Sequence, residues 1–182
     1  MNQEEIEKQI KTLQKQIESL SSDKENKLSM IVFSGDLDKT IAVFIIATGA
    51  VAMGMDVMMF FTFRGTPILR NKNKKVKKDD MFSRMFDKML PKGTKGLKLS
   101  KMNMAGIGIS MIKSLMKKKN VSSVDEMINL AGELCVRIFI CELSMNLMGF
   151  KREEMIDYPD LEYCGVAKFL EEAQKSKIEL FI

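Results

Sequence analysis

The chain has 182 residues, 46% of them hydrophobic and 29% charged, which is typical of one globular domain with an appendage. It contains no His, which excludes imidazole metal ligands and Ser-His or Cys-His catalytic pairs. The three Cys show no C-x-x-C or zinc-type spacing, so we expect neither a disulfide framework nor a bound metal. The polar start MNQEEIEKQI is not typical of a secretory signal, and we expect a cytoplasmic protein without a cofactor.

Residues 1–27 are predicted to form an N-terminal amphipathic helix and a polar linker. Apolar residues spaced by 4, 3, 4 and 3 positions form the seam of a heptad repeat, namely Ile6, Ile10, Leu13, Ile17 and Leu20. The repeat is short for a free-standing coiled coil. The helix therefore either pairs with a copy of itself or packs on its own domain.

The main domain, residues 28–182, begins with a predicted strand at Leu28–Phe33. A helix follows at Leu37–Met53, with Asp36 as its N-cap, and then a second strand at Asp56–Thr62. The apolar stretch between Ile41 and Phe63 resembles a membrane span, but Asp56 interrupts it before it reaches the ~20 residues a span requires. We interpret it as a buried helix followed by a buried strand of a parallel sheet.

Residues 64–119 are predicted to be a long insertion rather than a separate domain. This segment carries 17 Lys and Arg against 3 Asp and Glu, and it is rich in Met. We expect most of its Met side chains to fill a core, including Met81, Met85, Met89, Met102, Met104, Met111 and Met116. The alternative is a surface for a protein partner or an anionic membrane. No aromatic residues interleave the Lys runs, so nucleic acid is not an expected partner.

Strands and helices continue to alternate after residue 120. The predicted elements are a helix from Ser122 or Ser123 to Glu133, strand Cys135–Ile140, helix Cys141–Met148, strand Met155–Tyr158, helix Asp160–Ala173 and strand Lys177–Ile182. This alternation indicates an α/β fold, a three-layer αβα sandwich around a mostly parallel, Rossmann-like sheet of about five strands.

Ligands and reactive groups gather at the carboxyl ends of parallel strands. Three places qualify here: Ser34, Gly35 and Asp36 after the first strand, Arg64 and Gly65 after the second, and Cys141 and Glu142 after the third. Cys141 stands where a strand leads into a helix, and the positive end of a helix favours the nucleophilic thiolate, although Glu142 opposes it. The alternative is that Cys141 is a small buried apolar residue.

The other two thiols have different predicted positions. Cys135 lies at the opposite end of the third strand from Cys141, beyond disulfide reach, and is expected in the core. Cys164 is expected in the first turns of a helix at the same sheet edge as Cys141. It is either a resolving or relay thiol or a packing residue.

The segment IFICELSMNLMGF resembles the motif of the DsrE/DsrF/DsrH-like family, through Cys141, Ser144, Met145, Met148 and Gly149. Residues 90–108 are similar to the Met- and Lys-rich insertion of that family, and residues 161–173 to its C-terminal part. The resemblance covers residues 28–182. It implies a Rossmann-like αβα sandwich that oligomerises and carries sulfane sulfur as a persulfide on Cys141, with Ser144 and Met145 lining the site.

The resemblance predicts a sulfur carrier or sulfurtransferase-like protein that passes sulfur to a partner thiol. Other sulfur-relay proteins and further copies of the chain are the partners it implies. Two alternatives remain open, a non-catalytic adaptor and a thiol redox sensor that uses Cys141 and Cys164.

Overall fold

The chain folds around a five-stranded parallel sheet, as a computed structural model of residues 3–22, 24–74, 76–78, 80–101 and 107–182 describes it. The strands are β1 (Glu25–Val32), β2 (Asp56–Phe61), β3 (Arg137–Cys141), β4 (Leu161–Cys164) and β5 (Ser176–Phe181). Their order across the sheet is β4-β3-β2-β1-β5, and every neighbouring pair runs parallel. The carboxyl ends of β1, β2, β3 and β4 therefore meet at one edge.

Helices flank this sheet on both faces. The helices that the structure describes are α1 (Gln3–Ser22), α2 (Leu37–Ala52), α3 (Met81–Met89), α4 (Ile107–Lys118), α5 (Val124–Glu133), α6 (Glu142–Met148) and α7 (Val166–Gln174). Ser123 caps α5 with a capping box, which confirms the predicted start of that helix. The predicted αβα sandwich is confirmed.

Side chains alternate along each strand, and this alternation builds two cores. The larger core joins one face of the sheet to α2 and α5, for example through Met30, Phe44 and Met127. The smaller core lies on the other face beneath α7. It consists of Met58, Phe60, Phe139, Cys141, Phe169 and Ala173, with Ile31 and Cys164 packed against it.

The stretch between Ile41 and Phe63 divides as predicted into a helix and a buried strand, but the helix is buried along one face only, since Ile45 is 53% exposed. Helix α2 ends at Ala52, and Gly54 adopts a left-handed conformation with φ of 74° before β2 begins. No helix within the described ranges is long and apolar enough to cross a membrane.

Two predicted elements near the C-terminus were wrong. The segment 155–158 is not a strand: Met155 forms only an isolated bridge with Arg70, and Ile156 N–H donates to the Leu69 carbonyl. Met155 is buried and Ile156 and Tyr158 are half-buried by loop packing, a pattern of apolar residues that resembles that of a strand. The fourth strand is β4 instead, so Cys164 lies on a strand, and the last helix begins at Val166 rather than at Asp160.

The prediction that the Met side chains fill a core was wrong for α3. Four of its apolar side chains are exposed, namely Met81, Phe82, Met85 and Met89. On α4, Met111 is exposed as well, whereas Met102 and Met104 lie outside the described residues. The buried residue of α3 is Ser83, which packs against Gly149.

The apolar seam of α1 is also exposed where its side chains are described. Ile6, Ile10 and Leu13 are 37 to 56% exposed, so the domain does not bury them. Ile17 and Leu20 have side chains outside the described part of the helix. Pairing of this helix with another copy remains a prediction.

Candidate functional site

Cys141 is the last residue of β3 and the N-cap of α6, as its sequence position predicts. Its carbonyl accepts a hydrogen bond from Ser144 Oγ at 2.9 Å. Ser144 Oγ in turn lies 3.2 Å from Thr66 Oγ1, on the 3-10 helix that follows β2. These hydrogen bonds hold the turn after β3 against the segment after β2, because the hydroxyls of Ser144 and Thr66 are both buried.

The Cys141 side chain lies in the smaller core and is 6% exposed. Its neighbours in that core include Phe139 on its own strand and Phe169 from α7, whose ring packs 5.1 Å from that of Phe60. Among the described contacts, the thiol makes no capping hydrogen bond to α6. The thiol therefore has an apolar environment, with α7 as its cover.

Cys164 lies directly beside Cys141. The two residues are register partners at the carboxyl ends of the parallel strands β4 and β3. Register partners in parallel strands project their side chains to the same face, and both thiols belong to the smaller core. Burial raises the pKa of the Cys164 thiol to about 11, and the Glu162 carboxylate and Cys141 contribute to the increase.

Cys135 is exposed, so its predicted place in the core was wrong. It lies in the tight turn between α5 and β3 and has a positive φ of 56°. That turn directs the next residue, Val136, into the core instead. Cys135 and Cys141 stand at opposite ends of β3, as the spacing predicts.

The predicted site residues after β1 and β2 come together at the same sheet edge. Asp36 accepts hydrogen bonds from Ser34 Oγ at 2.7 Å and from Arg64 Nη2 at 3.0 Å. Gly35 and Gly65 allow the close approach, since a Cβ on Gly35 would collide with the Arg64 carbonyl and one on Gly65 with the Val32 carbonyl.

A cavity of about 340 Å³ opens beside this cluster. Its lining contains Gly35, Asp36, Arg64, Lys88, Met89, Leu90, Pro91, Gly96 and Lys98. Three cations against one carboxylate make it a basic cavity. Cys141 is not among the described residues that line it, so the thiol and the basic cavity are separate features of one edge.

The two remaining predicted residues have structural contacts. Met145 is buried in the larger core. Glu142 forms an ion pair with Arg152, whose guanidinium lies 4.7 Å above the ring of Tyr163. This pair covers the outer side of the turn that follows β3.

Sequence reasoning missed the role of Phe169. Its ring covers the core that contains Cys141, and the amphipathic pattern of VAKFLEEA carried the signal. Across the described ranges of the chain, no three His, Cys, Asp or Glu side chains are grouped so that they could hold a metal ion.

Comparison with known proteins agrees with the motif around Cys141. The model of the DsrE/DsrF/DrsH-like family matches residues 24–181. Protein YrkE of Bacillus subtilis, whose name marks it as uncharacterized, is 39% identical over 88% of this chain and 99% of its own length. Sulfur carrier protein DsrE2 of Allochromatium vinosum is 34% identical over 87% of this chain and 99% of its own length. The chain belongs to the DsrE/DsrF/DrsH-like family.

Proposed function

We propose that this protein is a sulfur carrier that accepts sulfane sulfur as a persulfide on Cys141 and passes it to a partner thiol. The observation that supports this most is the position of Cys141 at the end of β3, inside the family match. A relative that shares 34% of its residues is named a sulfur carrier protein. Other sulfur-relay proteins are the partners that this function requires.

The chemistry needs only two thiol exchanges. The Cys141 thiolate attacks the outer sulfur of a persulfide or polysulfide, forms Cys141–S–S⁻ and releases the shortened donor as a thiolate or polysulfide anion. An acceptor thiolate then attacks the outer sulfur of the persulfide and displaces the Cys141 thiolate. Each step breaks one S–S bond and forms another, so neither an oxidant nor a cofactor is consumed.

The surroundings of Cys141 shield its sulfur. The residue is 6% exposed, so the apolar core keeps water and bulky thiols away from the thiol. The hydrogen bonds that join Ser144 to the Cys141 carbonyl and to Thr66 hold the turn that begins at Cys141 in place. A bulky donor or acceptor requires displacement of the cover, so a short inorganic polysulfide is the appropriate donor for a first test.

Intact-mass analysis after brief polysulfide treatment tests the proposal. All proteins carry Cys135→Ser, because the exposed Cys135 thiol accepts sulfur without any special site. With Cys164→Ser also present, we expect a reducible gain of one sulfur, about 32 Da, at Cys141. The same protein with Cys141→Ser contains no thiol and therefore sets the background, and absence of a gain above that background would contradict the proposal.

The alternative adaptor function makes a different prediction. An adaptor keeps its partners when Cys141 is replaced by Ser, whereas a carrier loses its sulfur load. The two exposed apolar faces, on α1 and α3, are the observation that favours a binding role beside the carrier role. Persulfide loading and pull-down of relay proteins, both measured with the Cys141→Ser protein, together distinguish the two functions.

A further inference from the structure

Two thiols of this protein lie side by side at the carboxyl edge of the sheet. Cys141 ends β3, Cys164 ends β4, and the two are paired in register. Neighbouring strands are about 4.8 Å apart. That separation lies within the range of about 4.4–6.8 Å between the Cα atoms of disulfide-bonded cysteines.

Both side chains also point into the same environment. Cys141 is a member of the core beneath α7, and Cys164 packs against that core. The two thiols influence each other electrostatically, because Cys141 is among the groups that raise the pKa of Cys164. Cys135, by contrast, is exposed at the other end of β3.

We propose that Cys164 resolves the Cys141 persulfide by forming a Cys141–Cys164 disulfide and releasing hydrosulfide, so that the pair reduces sulfane sulfur to sulfide. This inference rests on the proposed carrier function of Cys141. It adds a second outcome to the carrier cycle. A bound sulfur goes to a partner thiol when one arrives, and leaves as sulfide when none does.

The reaction balances without a further reagent. The Cys164 thiol loses its proton, and its sulfur attacks Sγ of Cys141 in the Cys141–S–SH group. The bond between the two persulfide sulfurs breaks, and the outer sulfur leaves with the electron pair and a proton as HS⁻ or H₂S. The two cysteines lose two electrons in total and the sulfane sulfur gains them. A dithiol reductant then restores both thiols.

Electrostatics makes the attack by Cys164 dependent on pH. Burial raises the pKa of the Cys164 thiol to about 11, so only a small fraction of it is thiolate at neutral pH. The charged and titratable groups that face it are Glu162 on β4, Cys141 on β3, Glu142 on α6 and Lys168 on α7. Because the thiolate fraction rises tenfold per pH unit below the pKa, sulfide release should accelerate about tenfold from pH 7.5 to pH 8.5.

The first part of the experiment tests the geometry without any persulfide. The full chain with Cys135→Ser is treated with diamide, which removes two hydrogen atoms from a pair of thiols. We expect an intramolecular disulfide that joins the tryptic peptides 138–151 and 153–168, which contain Cys141 and Cys164 respectively. Absence of this cross-link in the monomer overturns the proposal, whatever the result with polysulfide.

The second part follows the fate of the sulfur. The chain with Cys135→Ser is loaded with polysulfide beside the same chain with Cys164→Ser or Cys164→Ala. Free donor is removed before mass and released sulfide are measured. We expect the chain that retains Cys164 to lose its added sulfur as one equivalent of sulfide, with a disulfide left behind. The persulfide of the Cys164 variants should persist at least tenfold longer.

The outcomes separate the two proposals. Equal persulfide lifetimes in the presence and absence of Cys164 overturn the resolving role and leave the carrier function intact. Failure of both Cys164 variants to gain sulfur contradicts the carrier function and the resolving role together. Sulfide release of equal amount from a Cys141→Ser protein also overturns the proposal, because it shows that the sulfur came from another place.

Discussion

Glu154 is a buried carboxylate that binds two buried cations. Its side chain forms ion pairs with Arg70 and Lys78, and the exposed fractions of these three side chains are between 2 and 4%. Arg70 also pairs with Asp87, and its guanidinium lies 4.4 Å above the ring of Phe150. These contacts connect the insertion to the loop before β4, because Lys78 and Asp87 belong to the insertion.

Removal of the Glu154 charge should be strongly destabilising. Glu154→Gln leaves two buried cations without their shared carboxylate, and breaking a buried pair in this way costs roughly 3–5 kcal/mol. We expect a loss near the lower limit in the free energy of unfolding, measured by urea denaturation, because Arg70 keeps Asp87. The exposed neighbour provides the control, since Glu153→Gln should change stability by less than about 0.5 kcal/mol. Equal effects of the two variants would refute this role.

Glu172 predicts how stability depends on pH. A hydrogen bond from Lys27, together with one from Arg137, lowers the pKa of Glu172 to about 2 from the ordinary value of 4.5. A depressed pKa in the folded state stabilises the protein above pH 4.5, and this contribution is lost as the pH falls from 4.5 towards 2.

The Glu172→Gln variant should therefore be less stable at neutral pH. Its free energy of unfolding should also decrease less as the pH falls from 4.5 towards 2. The pKa difference corresponds to at most about 3 kcal/mol. Urea denaturation at pH 7, 4 and 2.5 measures the change, with Glu171→Gln as the control because that carboxylate is exposed. An equal decrease in the free energy of unfolding between pH 4 and pH 2.5 in the Glu172→Gln protein and the unmodified protein would be inconsistent with this assignment.

Gly65 and Gly49 form a matched pair that tests the close approach at the sheet edge. A Cβ on Gly65 collides with the Val32 carbonyl, whereas a Cβ on Gly49, within α2, meets nothing within 4 Å. We expect Gly65→Ala to destabilise by roughly 1–3 kcal/mol through overpacking. Gly49→Ala should stabilise by up to about 1 kcal/mol because Ala is the better helix former. Thermal unfolding measures both changes, and a neutral Gly65→Ala substitution would contradict the predicted clash.

At the scale of elements, α3 presents an apolar face to the outside. Its exposed Met and Phe side chains accompany the cations Arg84 and Lys88. A basic helix with an exposed apolar face is typical of binding to an anionic membrane surface. The sequence alone does not separate this interpretation from core filling, because the regular helical spacing of Met does not indicate which side of the helix is covered.

Vesicle sedimentation tests the membrane prediction for α3. We expect binding to vesicles of phosphatidylserine and phosphatidylcholine, and little binding to phosphatidylcholine alone or in 1 M salt. Met85→Asp should weaken the binding at least tenfold. Met53→Asp is the control, since Met53 is exposed at the end of α2, outside the insertion. Equal binding by both variants would show that α3 is not the contact surface.

The limits of prediction at this scale are clearest at β4. The long apolar runs of β1, β2 and β3 predicted strands to within a few residues, because strands covered on both faces leave few alternatives. β4 has four residues, and Glu162 interrupts its apolar character at the edge of the sheet. The segment just before it, 155–158, gives the stronger signal for a strand, although it lies in a loop in which Met155 is buried and Asp157 is exposed.

At the scale of the whole molecule, the alternation of strands and helices predicted the sandwich and the edge at which the site lies. It also predicted that residues after β1 and β2 would meet, as Ser34, Asp36 and Arg64 do. The sequence also predicted that Cys164 shares this edge with Cys141, but their direct pairing could not be predicted, because it depends on the order and register of strands β3 and β4. Assembly into a homo-oligomer remains a prediction.

A peptide map tests whether Cys141 carries the sulfur. Tryptic cleavage places the three thiols on separate peptides, 120–137, 138–151 and 153–168. The chain with Cys164→Ser is loaded with polysulfide, alkylated, digested and analysed by tandem mass spectrometry. We expect one additional sulfur on peptide 138–151, at Cys141, which dithiothreitol removes. Additional sulfur on peptide 120–137 alone, or on neither peptide, would contradict this expectation.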